Sequence, residues 1–195
     1  MIKTPQNMSF ANSLNALSEI IRTDCLGKIA TGQKELILKE DGKASKDRLD
    51  KVTIVNCQDP MVAVFPEKAK GDLLPFLKDG VCQKVADAIV FTKYDGKPYI
   101  LICELKCGDP KGAKRQLLNT SLIARFILEM AERTTDFKAE NWSLRYVLIT
   151  NRSLKKQQTR REKLISGTDP SRPKEISVPN GAKIPLGRLC EPVEK

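Results

Sequence analysis

Two charged residues, Glu104 and Lys106, stand at the end of an otherwise apolar run, YILICELK, at residues 99–106. A run of this kind predicts a central β-strand that is covered on both faces. Charges at the end of such a strand are costly unless they are paired with each other or bind an ion. The types and spacing of these residues therefore indicate a site, whose chemistry depends on what lies beside them.

A second apolar run precedes the first, and Asp95 and Gly96 separate the two. Asp-Gly between apolar runs is a strong signal for a β-hairpin with a two-residue turn, because both turn positions favour positive φ. Counting outward from that turn places Asp87 directly across from Glu104, with Cβ atoms about 4.5–5.5 Å apart. Lys106 shares their face, since it lies two residues further along the strand. The sequence thus predicts two carboxylates and one ammonium together near the end of a buried hairpin.

Two carboxylates this close repel each other, and a divalent cation between them would remove the repulsion. Carboxylate oxygens suit Mg²⁺ or Mn²⁺, and a lysine beside such an ion can orient water and stabilise charge on a phosphate. The alternative is structural: Glu104 and Lys106 are solvated charges at a strand end, or Asp87 pairs with Lys106. A zinc site is disfavoured, because the chain has no histidine and no CxxC pair.

The runs ADAIVF, ILICELK and KRQLLNT resemble the motifs of the PD-(D/E)XK nuclease superfamily over about residues 80–150. The resemblance implies a restriction-endonuclease-like core. It also implies a metal site formed by Asp87, Glu104 and the backbone carbonyl of Leu105. Lys106 would then be the catalytic lysine.

The same resemblance assigns roles to residues outside the hairpin. It implies that Gln116 supports the site, as a glutamine early in the following helix does in many members. It also implies a further metal ligand from the first helix, for which Glu19 is the best candidate and Glu35 a weaker one. The chain departs from the pattern at Ala86, where the motif has proline, although many members lack that proline.

The order of predicted elements favours an α/β fold, an α+β mixed sheet flanked by helices. The predicted elements are an amphipathic helix over 9–26, short strands at 51–57 and 61–65 in a hairpin or at sheet edges, the central hairpin, a long helix over 110–132, a strand at 143–150 and a further hairpin around Asn180-Gly181. We expect one domain over 1–195. Its core motif region covers about 80–150, and a basic, hairpin-containing extension covers about 151–195.

The chain has a formal net charge of +10, which suits either solubility or a polyanionic partner such as nucleic acid. Basic residues cluster early in the predicted long helix and just after the last predicted core strand. They are Lys111, Lys114, Arg115, Lys155, Lys156, Arg160 and Arg161. Each cluster is either a phosphate-binding surface or a solvated face. Cations at a helix start oppose its dipole, and an anion bound there would offset this.

Together these features predict a Mg²⁺- or Mn²⁺-dependent nuclease, with DNA favoured over RNA on the resemblance alone. The alternative is a non-catalytic module of the same fold that binds nucleic acid or protein. A small-molecule enzyme is disfavoured, because neither GxGxxG nor GxxxxGK[ST] occurs. The chain lacks an apolar stretch of about 20 residues and a signal-peptide pattern, so we expect no membrane contact, reduced cysteines and a cytoplasmic location. A homodimer is left open.

Overall fold

The computed structural model describes residues 10–27, 34–39, 49–58, 60–69, 84–107, 111–138, 141–151 and 167–191. The helices in these ranges are α1 (Phe10–Ile20), α2 (Ala113–Thr134) and the short α3 (Gly187–Cys190), with a 3-10 helix at Pro66–Ala69. The strands are β1 (Leu26–Gly27), β2 (Glu35–Lys39), β3 (Lys51–Val55), β4 (Val62–Val64), β5 (Ala88–Tyr94), β6 (Lys97–Lys106), β7 (Ser143–Thr150), β8 (Lys174–Ser177) and β9 (Lys183–Pro185). No helix in the described ranges is long and apolar enough to cross a membrane.

The described strands form a mixed six-stranded sheet and a smaller three-stranded one. The larger sheet has the order β1-β4-β5-β6-β7-β8, and the smaller has the order β2-β3-β9. Neighbours from β1 to β6 are antiparallel, whereas β6, β7 and β8 run parallel. The step from β6 to its parallel neighbour β7 requires a crossover, and α2 lies in that connection. The predicted α/β class, a mixed sheet flanked by helices, is confirmed.

The six-stranded sheet is buried on both faces. One core includes Leu17 of α1 and Ile102 of β6. The other includes Ile54 of β3 and Leu101 of β6, so the three-stranded sheet covers the opposite face. Burial on both sides accounts for the apolar run at residues 99–103 of β6. Because side chains alternate along a strand, Glu104 shares the face of Ile102, the one that the helices cover.

The central hairpin has the register predicted from the sequence. β5 and β6 pair antiparallel, with Ala88 opposite Cys103. The turn residues Asp95 and Gly96 have φ values of 47° and 73°, the positive values that this type of turn requires. Continuing the ladder by one residue brings Asp87 across from Glu104, as predicted.

The long helix begins later than predicted. It covers Ala113–Thr134 rather than 110–132, and its N-cap residue is Gly112, with φ of 85° and no side-chain capping hydrogen bond. Glycine adopts this left-handed conformation without a steric penalty, so it suits the residue that precedes the helix. The first helix, Phe10–Ile20, is shorter than the predicted 9–26.

The hairpin or sheet-edge placement predicted for 51–57 and 61–65 is wrong, and so is the hairpin predicted around Asn180-Gly181. The segments at 51–57 and 61–65 do contain β3 and β4, but these strands lie in different sheets and each has a neighbour on both sides. The chain turns at Asn180-Gly181, yet β8 pairs with β7 and β9 pairs with β3. The Asn180 side chain accepts hydrogen bonds from the backbone of residues 50–51, so this turn carries the chain from one sheet to the other.

Candidate functional site

Asp87, Glu104 and Lys106 come together at the end of the β5–β6 hairpin. Asp87 and Glu104 are 5% and 0% exposed, and the Lys106 side chain is 20% exposed. The ammonium of Lys106 forms an ion pair with Oε1 of Glu104. Two buried carboxylates therefore lie at one end of the hairpin, Asp87 just before β5 and Glu104 within β6, and the partly exposed lysine pairs with Glu104.

Asp87 is bound to the strand that carries Glu104. Its Oδ2 accepts a hydrogen bond of 2.6 Å from the backbone N–H of Leu105. This contact joins the two strands just beyond Ala88, the first residue of β5. The backbone amide of Leu105 is thus committed to Asp87, and the predicted role of its carbonyl as a metal ligand stays a prediction.

Burial dominates the electrostatics of Glu104. It raises the pKa of this carboxyl from 4.5 to about 7; the Lys106 ammonium and the Asp87 backbone N–H oppose the rise, and the charge of Glu67 adds to it. Neither carboxylate oxygen has a well-formed hydrogen bond to the described part of the chain. A buried carboxylate whose main partner is one ion pair retains lone pairs for a further ligand. This donor set suits a divalent cation.

Glu67 is a neighbour that the sequence did not reveal. It lies on the 3-10 helix that directly follows β4, and β4 pairs with β5 so that Val64 faces Ile89. Continuing that ladder by two residues brings the start of the 3-10 helix beside Asp87. Glu67 is exposed, and its charge still acts on Glu104. Because this proximity depends on the pairing of β4 with β5, no local sequence pattern signals it.

Three polar side chains on one face of α2 hold the backbone that leads into Asp87. Gln116 Nε2 donates to the carbonyl of Val85 at 3.0 Å, Asn119 Nδ2 donates to the carbonyl of Lys84 at 3.0 Å, and the N–H of Ala86 donates to Thr120 Oγ1 at 2.6 Å. Side chains three and four residues apart share a helix face, so this spacing was an available signal for Asn119 and Thr120. The position of Gln116 is compatible with its predicted supporting role.

The structure does not group Glu19 or Glu35 with the two buried carboxylates. Glu19 is exposed on α1, and Glu35 pairs with Lys183 at 2.7 Å in the three-stranded sheet. Within the described ranges, no three histidine, cysteine, aspartate or glutamate side chains are placed to hold a metal ion. The site offers two carboxylates, and Mg²⁺ is usually held by one or two carboxylates together with substrate phosphates.

The predicted basic residues fall into two groups. Lys111 precedes α2, Lys114 and Arg115 lie in its first turn, and all three are exposed. They lie at the same end of the sheet as the carboxylates, since the next residue, Gln116, contacts the segment before Asp87. Lys155, Lys156, Arg160 and Arg161 lie outside the described residues.

No protein-family model, no curated protein and no solved structure matches this chain.

Proposed function

We propose that this chain is a Mg²⁺- or Mn²⁺-dependent nuclease of the PD-(D/E)XK type that hydrolyses phosphodiester bonds. The observation that carries the proposal is the pair of buried carboxylates, Asp87 and Glu104, held across one hairpin with Lys106 beside them. Burying Glu104 without a well-formed hydrogen bond costs folding free energy. A cation bound there during function would offset that cost.

Each residue of the site has a separate role in this proposal. Asp87 and Glu104 hold the ion, with the Leu105 carbonyl as a further ligand and Glu67 as a nearby carboxylate. When bound, such an ion polarises the scissile phosphate and lowers the pKa of a water molecule. Lys106 orients the attacking water or stabilises negative charge on the phosphate.

The basic residues bind the backbone of the nucleic acid. Lys111 and Lys114 lie at the same end of the sheet as the carboxylates, and the net charge of +10 favours a polyanionic substrate. DNA is favoured over RNA on the motif resemblance alone. The cysteines in the described ranges are free, which suits the reducing cytoplasm that we propose as the location of the protein.

A cleavage assay tests the proposal. Single- and double-stranded DNA and RNA are incubated with the protein and Mg²⁺ or Mn²⁺, and we expect cleavage that EDTA stops. Lys106→Ala should lower the cleavage rate by about 100-fold or more, because charge stabilisation at the reacting phosphate is lost. Lys97→Ala, at the exposed opposite end of β6, is the matched control and should cut at the wild-type rate. Equal rates for the two variants would remove Lys106 from the mechanism.

The second candidate is a non-catalytic module of the same fold that binds nucleic acid or protein. The ion pair between Lys106 and Glu104 favours it, because this pair balances one buried charge without any metal. The lack of a three-ligand group within the described ranges points the same way. This candidate predicts binding of nucleic acid without cleavage in the presence of either metal ion.

A further inference from the structure

The long helix α2 carries apolar residues on two opposite faces. In the sequence they form doublets that recur about every four residues, and the structure divides three of these doublets between the core and solvent. The buried members are Leu117, Ile123 and Ile127, and the exposed members are Leu118 (45%), Leu122 (58%) and Phe126 (53%). The exposed members follow one another at successive turns of the helix, so they form one contiguous stripe. A contiguous stripe of large apolar side chains marks an interaction surface more often than isolated exposed residues do.

Opposite charges stand at the two ends of this stripe. Arg115 comes seven residues before Leu122 and Glu129 comes seven residues after it. Residues seven apart on a helix lie on nearly the same line along its surface. Both charged side chains are exposed, and neither forms an ion pair with any other described residue.

We propose that the stripe is a homodimer interface in which α2 packs antiparallel against α2 of a second copy. With Leu122 on the two-fold axis, Leu118 of each copy faces Phe126 of the other. Arg115 of each copy then faces Glu129 of the other. A two-fold interface must be complementary to itself. The two symmetric contacts between Arg115 and Glu129 meet that condition.

Two neighbouring registers and the parallel arrangement bring Arg115 against another arginine. A shift of four residues in either direction places Arg115 against Arg125 or Arg133 of the second copy. A parallel pairing places Arg115 against its own equivalent, and likewise Glu129. This self-complementarity favours a second copy of the chain over an unrelated protein as the occupant. The interface does not depend on the proposed nuclease activity, and it uses Arg115 for dimerisation rather than for phosphate binding.

Sedimentation equilibrium of the full chain across a wide micromolar range tests the proposal. The wild type should form a dimer. Leu122→Glu should be monomeric with an unchanged far-ultraviolet circular dichroism spectrum, because a charge is placed at the two-fold axis. The matched control is Ile37→Thr, which also makes an exposed apolar residue polar, but in the three-stranded sheet; it should remain dimeric.

A charge exchange tests the orientation of the helices. Arg115→Glu should weaken the dimer about tenfold or more, since it creates two like-charge contacts. The double variant Arg115→Glu/Glu129→Arg should recover an affinity within about threefold of the wild type, because the opposite charges again face each other. A monomeric wild type, a dimeric Leu122→Glu or a double variant that stays weak would each overturn the proposal.

Discussion

Glu104 combines two properties that conflict in the absence of a ligand. It is fully buried, which raises its pKa to about 7, and it lies beside a lysine, which favours its ionised form. In the proposed site a metal ion would bind the carboxylate rather than the carboxylic acid, so proton and metal would compete for this residue. We therefore expect the affinity for Mn²⁺ to rise with pH up to about neutrality.

The raised pKa also predicts how the metal-free protein responds to pH. Between the ordinary pKa of 4.5 and the folded value of about 7, the folded state retains the Glu104 proton and the unfolded state has released it. The free energy of unfolding therefore falls as pH rises through this window. Glu104→Gln has no such dependence. Between pH 5 and pH 8 the wild type should therefore lose roughly 3 kcal/mol at most relative to this variant.

Urea unfolding in EDTA at several pH values measures this difference. The control is Glu19→Gln, which changes an exposed glutamate on α1 and should keep a constant offset from the wild type. If the difference in unfolding free energy between Glu104→Gln and the wild type is also the same at every pH, burial does not raise the pKa of Glu104.

Among the elements, α2 fixes the position of the candidate site. Its side chains hold the backbone that enters Asp87, and the shortest of these contacts joins the Ala86 N–H to the buried Thr120 hydroxyl at 2.6 Å. Thr120→Val keeps the shape of the side chain and leaves that N–H without an acceptor. We expect a loss of about 1–3 kcal/mol of stability in urea unfolding and weaker Mn²⁺ binding, because one of the contacts that position the backbone before Asp87 is lost.

Ser121→Ala is the matched control for this prediction. The Ser121 hydroxyl donates to the Leu118 carbonyl within the same helix, so its removal disturbs no contact between elements. We expect a smaller loss of stability and unchanged Mn²⁺ binding. If Thr120→Val binds Mn²⁺ as tightly as Ser121→Ala does, α2 does not position the site.

At the element scale, local signals predicted the structure where the partner strand is adjacent in sequence. The Asp95-Gly96 turn fixes the register of β5 and β6, which is why the opposition of Asp87 and Glu104 was predictable from the sequence. The strand β2 pairs with the next strand along the chain, yet its sequence, ELILK, does not alternate between polar and apolar residues, so no local pattern predicts it.

Pairings between distant segments could not be predicted in the same way. The Asn180-Gly181 turn reverses the chain, but the partner of β9 is β3, well over one hundred residues away in sequence. A turn signal contains no information about such a partner. The proximity of Glu67 to Glu104 has the same origin, because the pairing of β4 with β5 brings them together.

For the whole molecule, net charge predicts how binding depends on salt. Replacing Lys155, Lys156, Arg160 and Arg161 with glutamine should weaken the binding of every nucleic-acid sequence alike. Each phosphate contact that is lost should lower the slope of log affinity against log salt by about 0.9 for duplex DNA. Fluorescence anisotropy in EDTA measures the slope without cleavage.

The control for this prediction removes a charge elsewhere. Lys183→Gln changes an exposed lysine that pairs with Glu35 in the three-stranded sheet, and we expect its slope to match the wild type. An unaltered slope in the quadruple variant would mean that the four basic residues do not contact the nucleic acid.

The central claim is that Asp87 and Glu104 hold a metal ion, and thermal melting of Asp87→Asn in EDTA and in Mn²⁺ tests it most directly. The asparagine oxygen can still accept the hydrogen bond that Leu105 donates to Asp87, while the charge is lost. In EDTA we expect the variant to melt at the wild-type temperature or slightly higher, since a repulsion between carboxylates is relieved. A ligand that binds only the folded state raises stability, by about 2.7 kcal/mol at 100 times its dissociation constant.

Mn²⁺ should therefore stabilise the wild type and the control Glu35→Gln, whose carboxylate lies in the other sheet, but not Asp87→Asn. A structural role for Asp87 predicts the opposite. If Asp87 mainly neutralises the Lys106 ammonium, its loss would leave that charge unbalanced, at a cost of about 3–5 kcal/mol. A large fall in the melting temperature of Asp87→Asn in EDTA, together with no effect of Mn²⁺ on the wild type, would contradict the proposed metal site.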